Sequence, residues 1–186
     1  MARGVGRWLA WARDPEQMRR VALLERAPLF AGLPPRLLGR LAARFFEKAY
    51  GAGEAVFHEG EPGKGLFVVL EGAVAITRAT PDGDQVLSTL GPGACFGELA
   101  LIDDSPRSAS ARVTAPSRLL ILYKSDFDAL VEGSRRIGLV VMRTLLRTLA
   151  AYARRSPMPL ADRGAVLTEA SPLGGGSGSP GPSGAP

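Results

Sequence analysis

The chain has 186 residues, 46% of them hydrophobic, and a net charge of +5, which is enough for one well-buried domain with a remainder. A single cysteine, Cys95, rules out an intrachain disulfide and suits a reducing compartment, while a single histidine, His58, argues against a metalloenzyme with several converging ligands. No apolar run approaches the roughly 20 residues of a membrane span, and the segment at 8–12 is too short for a secretory h-region, so the reading places the chain in the cytoplasm. The charge is unevenly spread: residues 1–48 sum to +6, 49–133 to −6 and 134–186 to +5. An anion bound by the acidic middle must therefore rely on local groups and not on the general field.

Taken in order, residues 1–13 hold Arg3, Arg7, Trp8, Trp11 and Arg13, a segment expected to dock on its own domain or, alternatively, on a membrane surface. Asp14, Pro15 and Gln17 then supply an N-cap, a first-position proline and a capping-box partner for a helix running to about Arg26. Pro34 and Pro35 precede a second helix, with Leu37, Leu38, Leu41, Ala42, Phe45 and Phe46 at the spacing of one face.

From 50 to 123 the pattern changes to short β-rich runs at 55–58, 66–70, 73–78, 85–90, 109–115 and 118–122, divided by Gly and Pro. Evenly divided short strands mean a barrel or sandwich. Pro81, Asp82 and Gly83 are expected to form one hairpin turn and Glu71 and Gly72 another. His58 reads as an ordinary strand residue, and Glu59, Gly60 and Gly63 as turn residues with no ligand role.

Residues 125–133 read as a short helix capped by Ser125, and 135–155 as a long one. At about 100° per residue, Arg136, Arg143, Arg147 and Arg154 form one stripe of the long helix. Ile137, Val141, Leu145, Leu149 and Tyr152 lie broadly opposite, and Leu139, Met142, Leu146, Ala150 and Ala153 extend the apolar arc. That is more apolar surface than one supporting domain needs, so a second partner is implied; the alternative is that the whole arc packs on the roll and the entry helices. The Gly/Ser/Pro-rich remainder, 156–186, cannot bury apolar surface and is expected to be disordered.

The stretch that carries chemistry is 96–113, F-G-E-L-A-L-I-D-D-S-P-R-S-A-S-A-R-V. Gly97 allows close backbone approach, and the first N–H groups of the short turn through Leu99 and Ala100 have no intrahelical partner, so the turn suits an anion. Arg107 adds a planar fork for two phosphate oxygens and Ser108 a hydroxyl donor. A carboxylate repels phosphate, but Glu98 can accept from a sugar hydroxyl. Anion, sugar and base together make a nucleotide. The plain structural alternative is a Glu98–Arg107 salt bridge across a turn.

This stretch resembles the phosphate-binding cassette of the cyclic nucleotide-binding domain family, approximately F-G-E-[LI]-[AGS]-L, a loop, then P-R-[AST]-A. Phe96, Gly97, Glu98, Leu99, Ala100, Leu101, Pro106, Arg107, Ser108 and Ala109 meet every position. The resemblance covers 29–152 and implies an α+β, mainly β, fold: an eight-stranded jelly-roll β-roll (a double-stranded β-helix) flanked by N-terminal helices and a C-terminal helix pair. The implied division is an N-terminal segment at 1–28, a binding domain at 29–155 with its roll about 50–123 and its C-terminal helices about 125–155, and a tail at 156–186. The ligand set it implies is Gly97, Glu98, Leu99, Ala100, Arg107, Ser108 and Ala109. Leu87 and Ser88 stand where the family often contacts the base, and Tyr152 and Ala153 stand where it often has a polar Thr-Ser pair.

The function that follows is a non-catalytic sensor of a cyclic nucleotide, cyclic AMP in preference to cyclic GMP, with no metal and no cofactor. Its output would be a homodimer through the long helix and contacts with an unidentified protein. No DNA partner is expected, because a helix-turn-helix of about 60 residues does not fit after the long helix. The alternatives are an interaction module of the same fold that has lost its ligand, or a DNA-binding regulator using its basic flanks.

Overall fold

The computed structural model describes residues 14–102 and 104–155. The chain divides into two units, 1–148 and 149–186; of the second, the described part at 149–155 is helical.

Asp14 caps the first helix, α1 (Pro15–Arg26), by accepting from the Glu16 N–H at 2.9 Å. The reciprocal capping-box bond is not made: the side-chain Oε1 of Gln17 is buried without a partner among the described residues. The second helix, α2 (Pro35–Ala42), ends earlier than its apolar spacing suggests. Phe45 is buried, but Phe46 opens strand β1 (Phe46–Tyr50) and is 63% exposed, since adjacent residues of an extended chain point to opposite sides.

Five further strands follow among the described residues: β2 (Ala55–Phe57), β3 (Gly65–Thr80), β4 (Gly83–Leu90), β5 (Cys95–Phe96) and β6 (Ser110–Tyr123). All pairings are antiparallel in the order β1-β6-β3-β4, with β2 also on β6 and β5 on β3. Helices α3 (Lys124–Gly133) and α4 (Arg135–Arg155) close the described chain. The architecture is mixed α+β around an antiparallel roll. The short helix begins at Lys124, and no side chain caps it, so Ser125 lies inside it. Among the described residues no helix is long and apolar enough to cross a membrane.

The hairpin expected at Glu71 and Gly72 is a bulge inside one 16-residue strand. Gly72 has φ +86°, and a Cβ there would lie 2.1 Å from Ser117 Oγ and 2.5 Å from the Pro116 carbonyl oxygen. The Ser117 hydroxyl accepts the Ala73 N–H at 3.0 Å. Local turn chemistry is thus absorbed into β3, and β6 likewise runs straight through Pro116, joining runs the sequence divides. The two long strands separate two cores. Leu66, Val68, Leu70, Leu120 and Leu122 face Leu24, Phe30, Leu38, Leu41, Phe127, Ile137, Val141 and Leu145 of the helical layer. Phe67, Val69, Leu119 and Ile121 face into the roll with Val74, Phe96 and Val113.

On α4, Ile137, Val141 and Leu145 are buried, Leu145 at 1% exposure. Leu139, Met142 and Leu146 stand exposed, Leu146 at 64%, so the apolar arc of this helix does exceed what its own domain covers.

Candidate functional site

Strand β5 pairs with β3 at Phe67 and Val68, and Gly97 then turns the chain with φ +70° into a short 3-10 turn, Glu98–Leu101. The positive φ requires glycine, and so does space: a Cβ at Gly97 would sit 2.5 Å from Arg107 Nη1. Buried Ala100 and Leu101 hold the turn down, and Ala100 packs so closely on Gly63 that a Cβ there would come within 2.9 Å. The Ala100 N–H already donates to the Gly97 carbonyl at 3.3 Å, whereas the Glu98 and Leu99 N–H groups make no backbone hydrogen bond among the described residues.

Arg107 is anchored through its backbone. Its N–H donates to the Glu61 carbonyl at 2.8 Å and its carbonyl accepts the Gly60 N–H at 2.9 Å, beside a bridge between Pro62 and Pro106. The turn at Glu59 and Gly60 therefore serves the cassette by holding its arginine. The side chain runs inward. Nη1 donates to the Gly97 carbonyl at 3.0 Å and Nη2 to the Gly65 carbonyl at 2.9 Å. The guanidinium lies 4.1 Å from the Phe57 ring centroid and 5.6 Å from that of Phe67. The residue is 8% exposed, and its Nε is buried with no hydrogen-bond partner among the described residues. Burial lowers its pKa, while the charges of Glu61 and then Glu98 act in the opposite sense. A buried donor without an acceptor is costly, so the site holds a cation with a hydrogen bond still to give.

No ion pair joins Glu98 to Arg107 among the described residues, and the salt-bridge alternative is not the arrangement found; backbone carbonyls take the guanidinium instead. Gly97, Glu98, Leu99, Ala100 and Arg107 are brought together. Ser108 is exposed, its carbonyl accepting from Arg78 Nη2 at 3.5 Å, and Ala109 is half-buried. Ser88, on β4, pairs with Ile76 of β3, while Leu87 falls at the register shift and is 45% exposed. No hydrogen bond or ion pair joins either to the cassette among the described residues. The Tyr152 side chain lies outside the described residues. Cys95 is half-buried beside the cassette, and desolvation, followed by the charge of Glu98, pushes its thiol pKa up to about 12.

The partners of Arg107 that sequence reasoning missed are the Gly65 carbonyl, Glu61 and Phe57. A carbonyl acceptor leaves no trace in residue type, and Phe57 reads as one apolar strand residue among many.

A family model described as "Cyclic nucleotide-binding domain" matches residues 47–134. The chain is 36% identical over 135 residues to the "Cyclic AMP receptor protein" of Thermus thermophilus, covering 72% of this chain and 61% of that protein. It is 34% identical over 164 residues to a "Cyclic nucleotide-gated potassium channel" of Mesorhizobium japonicum, covering 82% and 44%. A crystal structure of the N-terminal domain of a transcriptional regulator from Streptomyces coelicolor superposes with a TM-score of 0.66 at 33% identity, covering 74% of this chain and 99% of that one. The chain spans 61% of the length of the first curated relatives it matches.

Proposed function

The chain belongs to the cyclic nucleotide-binding domain family, and from that premise we propose that it is a non-catalytic cyclic nucleotide sensor acting in the cytoplasm. The observation that carries this reading is Arg107: a cation at 8% exposure whose buried Nε has no acceptor among the described residues. A cyclic phosphate would supply that acceptor, together with the Glu98 and Leu99 N–H groups, while the Ser108 hydroxyl assists and the Glu98 carboxylate accepts from the ribose 2′-hydroxyl. The base would meet Leu87 and Ser88. Cyclic AMP is preferred over cyclic GMP, in keeping with relatives described as "Cyclic AMP receptor protein" and "cAMP-dependent protein kinase regulatory subunit". No turnover is expected, because donors and one carboxylate do not make a phosphodiesterase.

The output in this reading runs through α4. Leu139, Met142 and Leu146 form an exposed apolar stripe on which a second copy docks, and nucleotide shifts the helix against the roll, changing what a partner protein meets. Titration calorimetry with cyclic AMP and cyclic GMP tests the ligand. Nucleotide at about 100 times its Kd should add about 2.7 kcal/mol of stability, and a flat thermal response to millimolar amounts of both would refute the reading. Tighter binding of cyclic GMP in competition would reverse the choice of base alone. A salt-dependent DNA shift assay tests the competing regulator reading.

A further inference from the structure

The two carbonyl contacts of Arg107 leave one freedom uncontrolled. Hydrogen bonds from Nη1 to Gly97 and from Nη2 to Gly65 fix the end of the guanidinium along a line, about which the plane can still tilt. What blocks the tilt is a ring. Phe57 presents its face 4.1 Å from the guanidinium carbon, and is itself held by Phe67 and Phe96, whose rings stack on one another at 5.2 Å and 14° and lie 5.5 and 5.9 Å from it. The orientation of that plane decides where the free Nε–H points. We propose that Phe57 is a positioning residue for anion binding: its ring seats the Arg107 guanidinium so that Nε–H is presented to the ligand phosphate.

This inference rests on the nucleotide reading but is separable from it. Phe57 sits on β2, outside the cassette, and is half-buried, so its aromatic character is not demanded by the depth of the core alone. A desolvated cation–π contact predicts that Phe57→Leu weakens cyclic AMP binding by about 5- to 30-fold. Phe57→Tyr, which keeps the π face, should stay within about 2-fold. In an Arg107→Gln background, followed by NMR titration to millimolar nucleotide, Phe57→Leu should add nothing further, since the ring acts only through the guanidinium.

A second readout needs no nucleotide. In the ligand-free protein the Arg107 Hε resonance should be displaced upfield by the ring current, return toward its ordinary position in Phe57→Leu, and stay displaced in Phe57→Tyr. An undisplaced wild-type Hε, or an equal affinity loss with and without Arg107, overturns the seat. A displaced Hε in a protein that binds neither cyclic nucleotide leaves the seat standing and removes the nucleotide reading.

Discussion

Gly97→Ala tests fold and site in one substitution, and Gly93→Ala is its control. Both glycines have positive φ, +70° and +87°, so alanine at either pays the left-handed penalty of roughly 1–2 kcal/mol. They differ in surroundings. A Cβ at Gly93 meets nothing within 4 Å, whereas one at Gly97 lies 2.5 Å from Arg107 Nη1 and 3.3 Å from the Gly65 carbonyl oxygen. The guanidinium has to move, and with it the bonds to the Gly97 and Gly65 carbonyls, each of a class worth roughly 1.5–3 kcal/mol. Urea denaturation without ligand should therefore show Gly97→Ala less stable than Gly93→Ala by about 1.5 kcal/mol or more. Calorimetric titration should show nucleotide affinity unchanged in Gly93→Ala and reduced at least about 10-fold in Gly97→Ala. If the two variants match in both stability and affinity, Arg107 does not occupy the place described and the reasoning fails.

The remaining predictions concern the thiol and the long helix. Cys95, with a pKa of about 12, should be about one part in a thousand thiolate at pH 9, so iodoacetamide should label the native protein far more slowly than the urea-unfolded one; equal rates would contradict the raised pKa. Because the folded pKa is raised, the associated stability is fully present below the ordinary value of 9.0 and is lost as pH rises toward 12. Leu145→Ala should cost about 2–5 kcal/mol in urea denaturation, since this side chain is 1% exposed. Leu139→Glu with Leu146→Glu, both at exposed positions, should leave stability within about 0.5 kcal/mol per site and yield a monomer by light scattering; a wild-type chain already monomeric with and without nucleotide would end the dimer proposal.

What the sequence makes legible depends on how local the cause is. Asp14 and Pro15 start α1 where expected because capping is decided within four residues. The cassette is legible for the same reason: Gly97, Glu98 and Arg107 carry their chemistry in residue type and spacing. The Glu71-Gly72 pair reads as a turn and is a bulge, because what decides it is Pro116 and Ser117, over forty residues away. Phe46 satisfies helical spacing and enters a strand, its conformation set by pairing with Ile121. The destination of the Arg107 side chain is likewise decided by the carbonyls of Gly65 and Gly97 and the ring of Phe57, brought together only by the closed roll.

The shared walls of the two cores bear on how the domain opens. Since β3 and β6 give alternate residues to the helical layer and to the roll interior, neither layer can melt while the other keeps its packing: losing register in β3 withdraws Leu66, Val68 and Leu70 from one side and Phe67 and Val69 from the other. Amide hydrogens along 66–70 and 119–122 should thus exchange with solvent only through whole-domain unfolding, with one common protection free energy. Strand β4, exposed from Gly83 to Thr89, and the tip at Pro81 and Asp82 give no buried residue to either core and should exchange through smaller, local fluctuations.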